Sequence, residues 1–181
     1  YPGQEGGIAI ADVLFGDFNP AGRLPFSVPR SVGQIPLYYN KKAPQSHDYV
    51  EMSASPLYPF GYGLSYTSFD YSDLHLSALM PRSFEISFKV RNTGKYDGEE
   101  VAQLYLRDEY ASVVQPLKQL KHFARFYLKR GEEREVKFIL SEEDFSLVDR
   151  NLKKIVEPGT FQIMIGAASN DIRLQTKVEI K

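Results

Sequence analysis

The sequence predicts a mainly β protein: an antiparallel β-sandwich over residues 66–181, preceded by residues 1–65 with one helix, extended segments and a long loop. Three observations predict it. From residue 69 onward, apolar and polar residues alternate in runs of strand length. Turn-forming residues separate those runs. Before residue 66 the chain is rich in Gly and Pro and shows a single helical period.

The elements follow in order. Gly6 to Phe15 reads as a helix, because Ile8, Ala11, Leu14 and Phe15 recur at the spacing of one buried face, and Gly16 is placed to end it. Asp17 to Gly22 is turn chemistry: Asn19 precedes Pro20 and so avoids the helical region, and Gly22 allows positive φ. Leu24 to Pro29 is expected to be extended, with its prolines at an edge. Residues 30–65 carry Pro36, Pro44, Pro56 and Pro59; a loop of this length is usually functional or a linker. The segment Ser55 to Thr67 packs aromatics between Pro and Gly, and its rings are expected to plug the junction between the two regions.

The strand runs are clearer. Phe84, Ile86, Phe88 and Val90 alternate with polar residues, as do Ala102, Leu104 and Leu106 with Gln103 and Tyr105. Leu120 to Leu128, Val136 to Leu140, Phe161 to Ile165 and Ile172 to Ile180 follow. One buried face and one wet face is the antiparallel signature. Asn92-Thr93-Gly94, Asp97-Gly98, Lys129-Arg130-Gly131 and Glu157-Pro158-Gly159 supply the turns, and Ser141 to Asp144 matches a capping box opening one helical turn. About seven short strands joined this way indicate an immunoglobulin-like sandwich.

Composition narrows the function classes. The 181 residues are 43% hydrophobic and 25% charged, ordinary for a soluble globular protein. A net charge of -1 argues against a nucleic-acid partner. With no cysteine there are no disulfides, thiol nucleophiles or thiolate metal sites. No apolar run has membrane-spanning length and no signal peptide is visible, and Tyr1 to Gly7 reads as the middle of a domain. The 12 Tyr and 12 Phe suit β-structure, while the lack of Trp weakens the reading as a stand-alone carbohydrate-binding module.

No phosphate loop, dinucleotide fingerprint or zinc-protease helix is present. His47, His75 and His122 have no ligand spacing, so neither a metal nor a cofactor is expected. His75 and His122 fall in strand-like runs, as surface histidines. Glu99 and Glu100 follow a turn and are expected to be solvated; Glu142, Glu143 and Asp144 belong to the capped turn, where negative charge suits the helix start. No convincing pair of facing carboxyl groups stands out for acid/base work. The loop residues His47, Asp48, Tyr49 and Glu51 are the candidates for substrate contact, since binding residues concentrate on loops.

Longer motifs carry a resemblance. Pro2 to Gly7, Ala9 to Asp17 and Asn19 to Pro25 resemble the end of the α/β-sandwich domain of glycoside hydrolase family 3, and Gly33 to Pro36 with Tyr38-Tyr39-Asn40 continues that pattern. Leu57 to Thr67 resembles the junction into that family's fibronectin type III-like domain. Asn92 to Gly94, Gly98 to Tyr105, Pro116 to Lys121 and Glu157 to Gly159 resemble the domain itself. The resemblance implies domains at 1–65 and 66–181. It implies a parent enzyme, a retaining exo-acting β-glucosidase or β-xylosidase acting on oligo- or polysaccharide, periplasmic or secreted. Its nucleophile and acid/base would lie outside these residues, so the chain is expected to be an inactive, bracing fragment packed on the missing catalytic domains. Glu5, in the Pro2 to Gly7 motif, is expected to serve the helix start and not catalysis. The alternative is a carbohydrate-binding or protein-interaction sandwich module.

Overall fold

The computed structural model describes residues 3–42 and 48–181. Seven long strands build two antiparallel sheets. β1 (Phe69–Met80), β2 (Ser83–Asn92) and β5 (Glu133–Leu140) form the first, in the order β1-β2-β5. β3 (Gly98–Asp108), β4 (Gln119–Leu128), β8 (Gly159–Ala168) and β9 (Asp171–Ile180) form the second, in the order β4-β3-β8-β9. A hairpin of β6 (Leu147–Val148) and β7 (Lys154–Ile155) lies in the connection from β5 to β8. This is the predicted sandwich of seven strands, divided three on four.

The alternating residues meet between the sheets. Ile86, Phe88 and Val90 of β2 and Val136, Phe138 and Leu140 of β5 pack against Leu104 and Leu106 of β3 and Ile163 and Ile165 of β8. The expected capping turn closes one end. The Asp144 carboxylate accepts from the Ser141 backbone N–H at 2.8 Å and hydroxyl at 3.0 Å, and the short 3-10 turn Glu142–Phe145 drives Phe145 edge-on against Phe84 and Phe161. At the opposite turn Gly131 adopts φ 78°, a left-handed conformation that favours glycine.

β1 is the strand with no clean alternation in the sequence. It is an edge strand, its register slips between Ser72 and His75, and Asp73 takes φ 53° there. His75 is exposed, as expected of a surface strand histidine. His122 is half-buried, stacked on Phe138 with ring centres 5.9 Å apart.

The structure sharpens the sequence reading at three places and overturns it at the third. First, α1 (Gly6–Phe15) forms and ends at Gly16 with φ 88°, as predicted, and its apolar face, which no sheet of this chain covers, points outward: Ile8, Leu14 and Phe15 are 62%, 71% and 84% exposed. Second, the turn does not use the positive φ that Gly22 allows; it is fastened by Asn19, whose amide oxygen accepts from the Tyr66 N–H at 2.8 Å and the Ser65 hydroxyl at 3.1 Å. Third, Gln103 and Tyr105, expected on a wet face, are 2% and 0% exposed.

The cause of the third is the extended segment at 24–28. It pairs with residues 57–62 through Val28 N–H to Tyr58 O, Leu57 N–H to Val28 O, Gly61 N–H to Leu24 O and Leu24 N–H to Tyr62 O, all within 2.9 Å. This ribbon lies over the outer surface of β3 and β8, so both strands are buried on two sides.

Leu104 is fully buried between the sheets. Leu104→Ala is expected to lower unfolding free energy by about 2–5 kcal/mol in urea titration. Val148→Ala, on the exposed hairpin, should change it by less than about 0.5 kcal/mol.

Candidate functional site

The functional geometry of this chain lies in the seam between the ribbon and the sandwich. Gln103 stands on the outer face of β3. Its side-chain amide donates to the carbonyls of Gly61 (3.2 Å) and Ala167 (2.5 Å), and its oxygen accepts from the Tyr105 hydroxyl at 2.5 Å. Burial pushes the Tyr105 hydroxyl far above its usual range, so it stays protonated as the donor. The Ser169 N–H donates to Phe60 O at 2.9 Å. Phe60 stacks on Tyr39 with centroids 3.9 Å apart, and Tyr39 meets Tyr105 edge-on at 6.3 Å. This is the aromatic plug anticipated from Ser55 to Thr67. Gly61 has φ 81°, and a Cβ there would lie 2.2 Å from the Gln103 amide oxygen, so the position demands glycine twice over.

A second anchor sits at the end of the sandwich. The expectation of a solvated Glu100 is overturned: its side chain is 3% exposed and pairs with Arg23 at 2.9 Å. The Val101 N–H also donates to that carboxylate at 2.9 Å, and the Arg23 guanidinium donates to the carbonyls of Ala21 and Gly22. Countercharge and hydrogen bonds together hold a carboxylate that burial would otherwise disfavour. Glu99, partly exposed, pairs with Arg125 on β4. Beside Glu100, the Arg173 guanidinium lies over the Tyr71 ring at 4.9 Å and is clasped by Asp171. Burial first, and the charge of Glu100 second, push the Tyr71 hydroxyl well above its usual range. Arg23, Glu100, Asp171 and Arg173 line a cavity of about 660 Å³, bounded on the far side by Arg30 and Ser55.

Of the substrate-contact candidates, the described ones stay out of this cavity. His47 lies outside the described residues. The Asp48 carboxylate accepts from the Ala54 N–H (2.8 Å) and the Ser53 hydroxyl (3.2 Å), so it fastens its own loop. Tyr49 and Glu51 are exposed. None of the three lines the cavity, which the loop reaches through Ser55. Gln34, buried, ties the same loop down from below by donating to the carbonyls of Ser53 and Ser55. Glu5 occupies the helix start, its carbonyl accepting from Ala9, with no side-chain cap bond. Among the described residues, no three His, Asp or Glu side chains gather as a metal site would require.

Sequence reasoning missed Gln103, Glu100 and Arg23. The available signal was slight: a Gln and a Glu within one strand run, and a Gly61 flanked by aromatics.

Residues 1–66 match the model of the glycosyl hydrolase family 3 C-terminal domain, and residues 100–169 match that of a fibronectin type III-like domain. The chain matches the C-terminal part of that family. A periplasmic β-glucosidase of Salmonella typhimurium is 46% identical over 96% of the chain, which covers 24% of that protein. A β-xylosidase of Formosa agariphila is 44% identical over 97% of the chain, covering 25% of it. Among solved structures, a β-glucosidase from Erythrobacter marinus superposes with TM-score 0.93 at 43% identity over the whole chain, which covers 24% of it. One from Listeria innocua gives 0.91 at 37% identity over 99% of the chain, covering 27%. The family 3 chain thus spans about a quarter of the length of the relatives it matches. Its seam residues Gln103 and Tyr105 sit inside Gly98 to Tyr105, one of the motifs that carry the resemblance to the fibronectin type III-like domain.

Removing one partner of the Arg23–Glu100 pair leaves a buried charge alone. Arg23→Met is expected to cost about 3–5 kcal/mol of stability in denaturant titration, and Arg23→Met/Glu100→Met to cost less than the single change.

Proposed function

We propose that this chain is the bracing portion of a retaining, exo-acting β-glycosidase that removes terminal β-linked glucose or xylose, and that the catalytic carboxylates lie outside these 181 residues. The observation that carries the reading is coverage: the whole chain superposes on β-glucosidases yet accounts for only about a quarter of each. Four acidic side chains have other work. Glu100 is neutralised by Arg23, Asp144 caps a turn, Glu143 pairs with Lys154, and Asp48 fastens a loop.

The same reading divides the chain at 65/66, supported by a family 3 model that ends at residue 66. It accounts for the outward apolar face of α1, where Ile8 and Ile10 are 62% and 53% exposed, as a surface that docks on the catalytic domain. It assigns the loop ending at Tyr49 and Glu51 to the rim of the substrate cleft; the exposure of both side chains, on a loop held from below by Gln34, supports this. A periplasmic or secreted location is supported by the name of the Salmonella relative. No helix among the described residues is long and apolar enough to cross a membrane.

Two measurements test this. The purified 181-residue chain is expected to show no turnover of p-nitrophenyl β-glucoside or β-xyloside; clear turnover overturns the proposal. Ile8→Asp/Ile10→Asp should leave the isolated chain's unfolding within about 0.5 kcal/mol, because both side chains are exposed. In the full-length enzyme the same change should cost more than about 2 kcal/mol, because it buries charge where apolar side chains dock. Equal effects in both settings would exclude docking through α1.

A further inference from the structure

The two outer faces of the sandwich differ in chemistry. On the three-stranded sheet the outward rows are largely polar, and their charges are matched within the sheet. Lys89 lies 3.0 Å from Asp73 and 3.5 Å from Glu133, and Lys137 lies 3.1 Å from Glu85. A face of this kind is complete in water, and charged side chains are depleted from the centres of interfaces.

β4, an edge of the other sheet, is different. Phe123, Arg125 and Tyr127 alternate along it with Ala124, Phe126 and Leu128, which pack inward, so the first three point outward. Phe123 and Tyr127 are 67% and 49% exposed. Arg125 and Tyr127 share the lining of a cavity of about 860 Å³ with Tyr96 and with Leu14 and Phe15 of α1. The helix end and the strand are held as one surface. The Tyr66 hydroxyl donates to Val13 O at 2.6 Å, the Asn19 amide donates to Asp97 O at 2.9 Å, and the Tyr127 hydroxyl donates to the Asp97 carboxylate at 2.8 Å. Side chains fixed in advance lose little freedom when a partner covers them.

We propose that α1 and the outer side of β4 form one docking face, and that its occupant is a surface of the parent enzyme outside these residues that brings apolar side chains together with a lysine or arginine. This docking rests on the bracing role proposed above and extends it from the tail to the sandwich. Exposed aromatic side chains continuous across two elements exceed the scattered apolar residues of an ordinary surface. The chain covers 24% and 25% of its relatives, so most of the parent is on hand to supply the other side. Charge selects against a second copy of this chain. Asp17, Asp97 and Glu99 outnumber Arg125 in the shared lining, and a twofold contact through this face would set acid against acid. A partner carrying cations removes that repulsion. The three-stranded face stays in solvent.

Hydroxyl-radical footprinting read by mass spectrometry tests this, on the 181-residue chain and on the full-length enzyme. Oxidation of Phe123 and Tyr127 is expected to fall about fivefold or more in the full-length enzyme, as in the dry core of an interface. Ile139, exposed on the three-stranded face, should oxidise alike in both, and buried Phe88 and Phe138 should stay unreactive in both, which checks the fold. If the isolated chain fails that check, the full-length enzyme alone decides: Phe123→Asp is expected to raise the oxidation of Phe15 about threefold or more, and Ile139→Asp to leave it unchanged. Asp17→Lys is expected to raise the oxidation of Tyr127 by setting like charges together; no rise overturns the cationic chemistry assigned to the partner. Phe123 and Tyr127 equally reactive in both proteins overturn the proposal, and protection of Ile8 and Ile10 in the same experiment leaves the docking of α1 standing without it. Protection in the isolated chain that grows with its concentration assigns the face to a second copy and overturns the proposal as well.

Discussion

The architecture turns on one buried amide. β3 runs through the middle of the larger sheet and is covered on both sides, so its outward side chains cannot reach water. A buried carboxamide is costly unless its groups are bonded. Gln103 meets that condition with two donated bonds and one accepted, and each partner comes from a different element: Gly61 from the ribbon, Ala167 from β8 and Tyr105 from β3 itself. Remove the ribbon and the amide loses a partner while Tyr105 loses its cover. The glycine at 61 and the pairing of 24–28 with 57–62 both follow from this requirement.

The ribbon in turn delivers Arg23. Held by two carbonyls of its own turn, the guanidinium reaches Glu100 at the sandwich end, and that pair closes the cavity near Asp171 and Arg173. Two desolvated anchors and an aromatic stack give the first region a fixed placement on the sandwich. A strut needs such rigidity. A domain joined by a solvated linker alone would move independently.

Much of the fold was legible in the sequence because it rests on period. Ile86-Phe88-Val90 and Val136-Phe138-Leu140 announce a core-facing row whatever else the chain does. The capping box at Ser141 and the stop at Gly16 are equally local. Alternation reports which residues differ in polarity, however, and not which of the two faces meets water. Gln103 and Tyr105 look like a wet row until a distant segment covers them. Glu100 looks solvated because its partner lies 77 residues away, and β1 was blurred by the bulge near Asp73. In the loop, Asp48 drew notice as a polar side chain, and its carboxylate is spent on Ser53 and Ala54.

The ribbon has a consequence for how this protein can change. Its two arms are clasped at Val28 and Tyr58, and everything between them leaves and returns through that clasp. Length added beyond the clasp alters only the entropy of an already closed excursion, about 0.6 kcal/mol for each doubling. The excursion meets the sandwich again at Tyr39, which accepts from the Leu120 N–H and packs edge-on to Tyr105, and at Lys41, whose carbonyl accepts from the Leu117 N–H. Only the exposed stretch from Tyr49 to Glu51 behaves as an interchangeable attachment, free to drift in length and chemistry from one descendant to the next while its mounting stays constant.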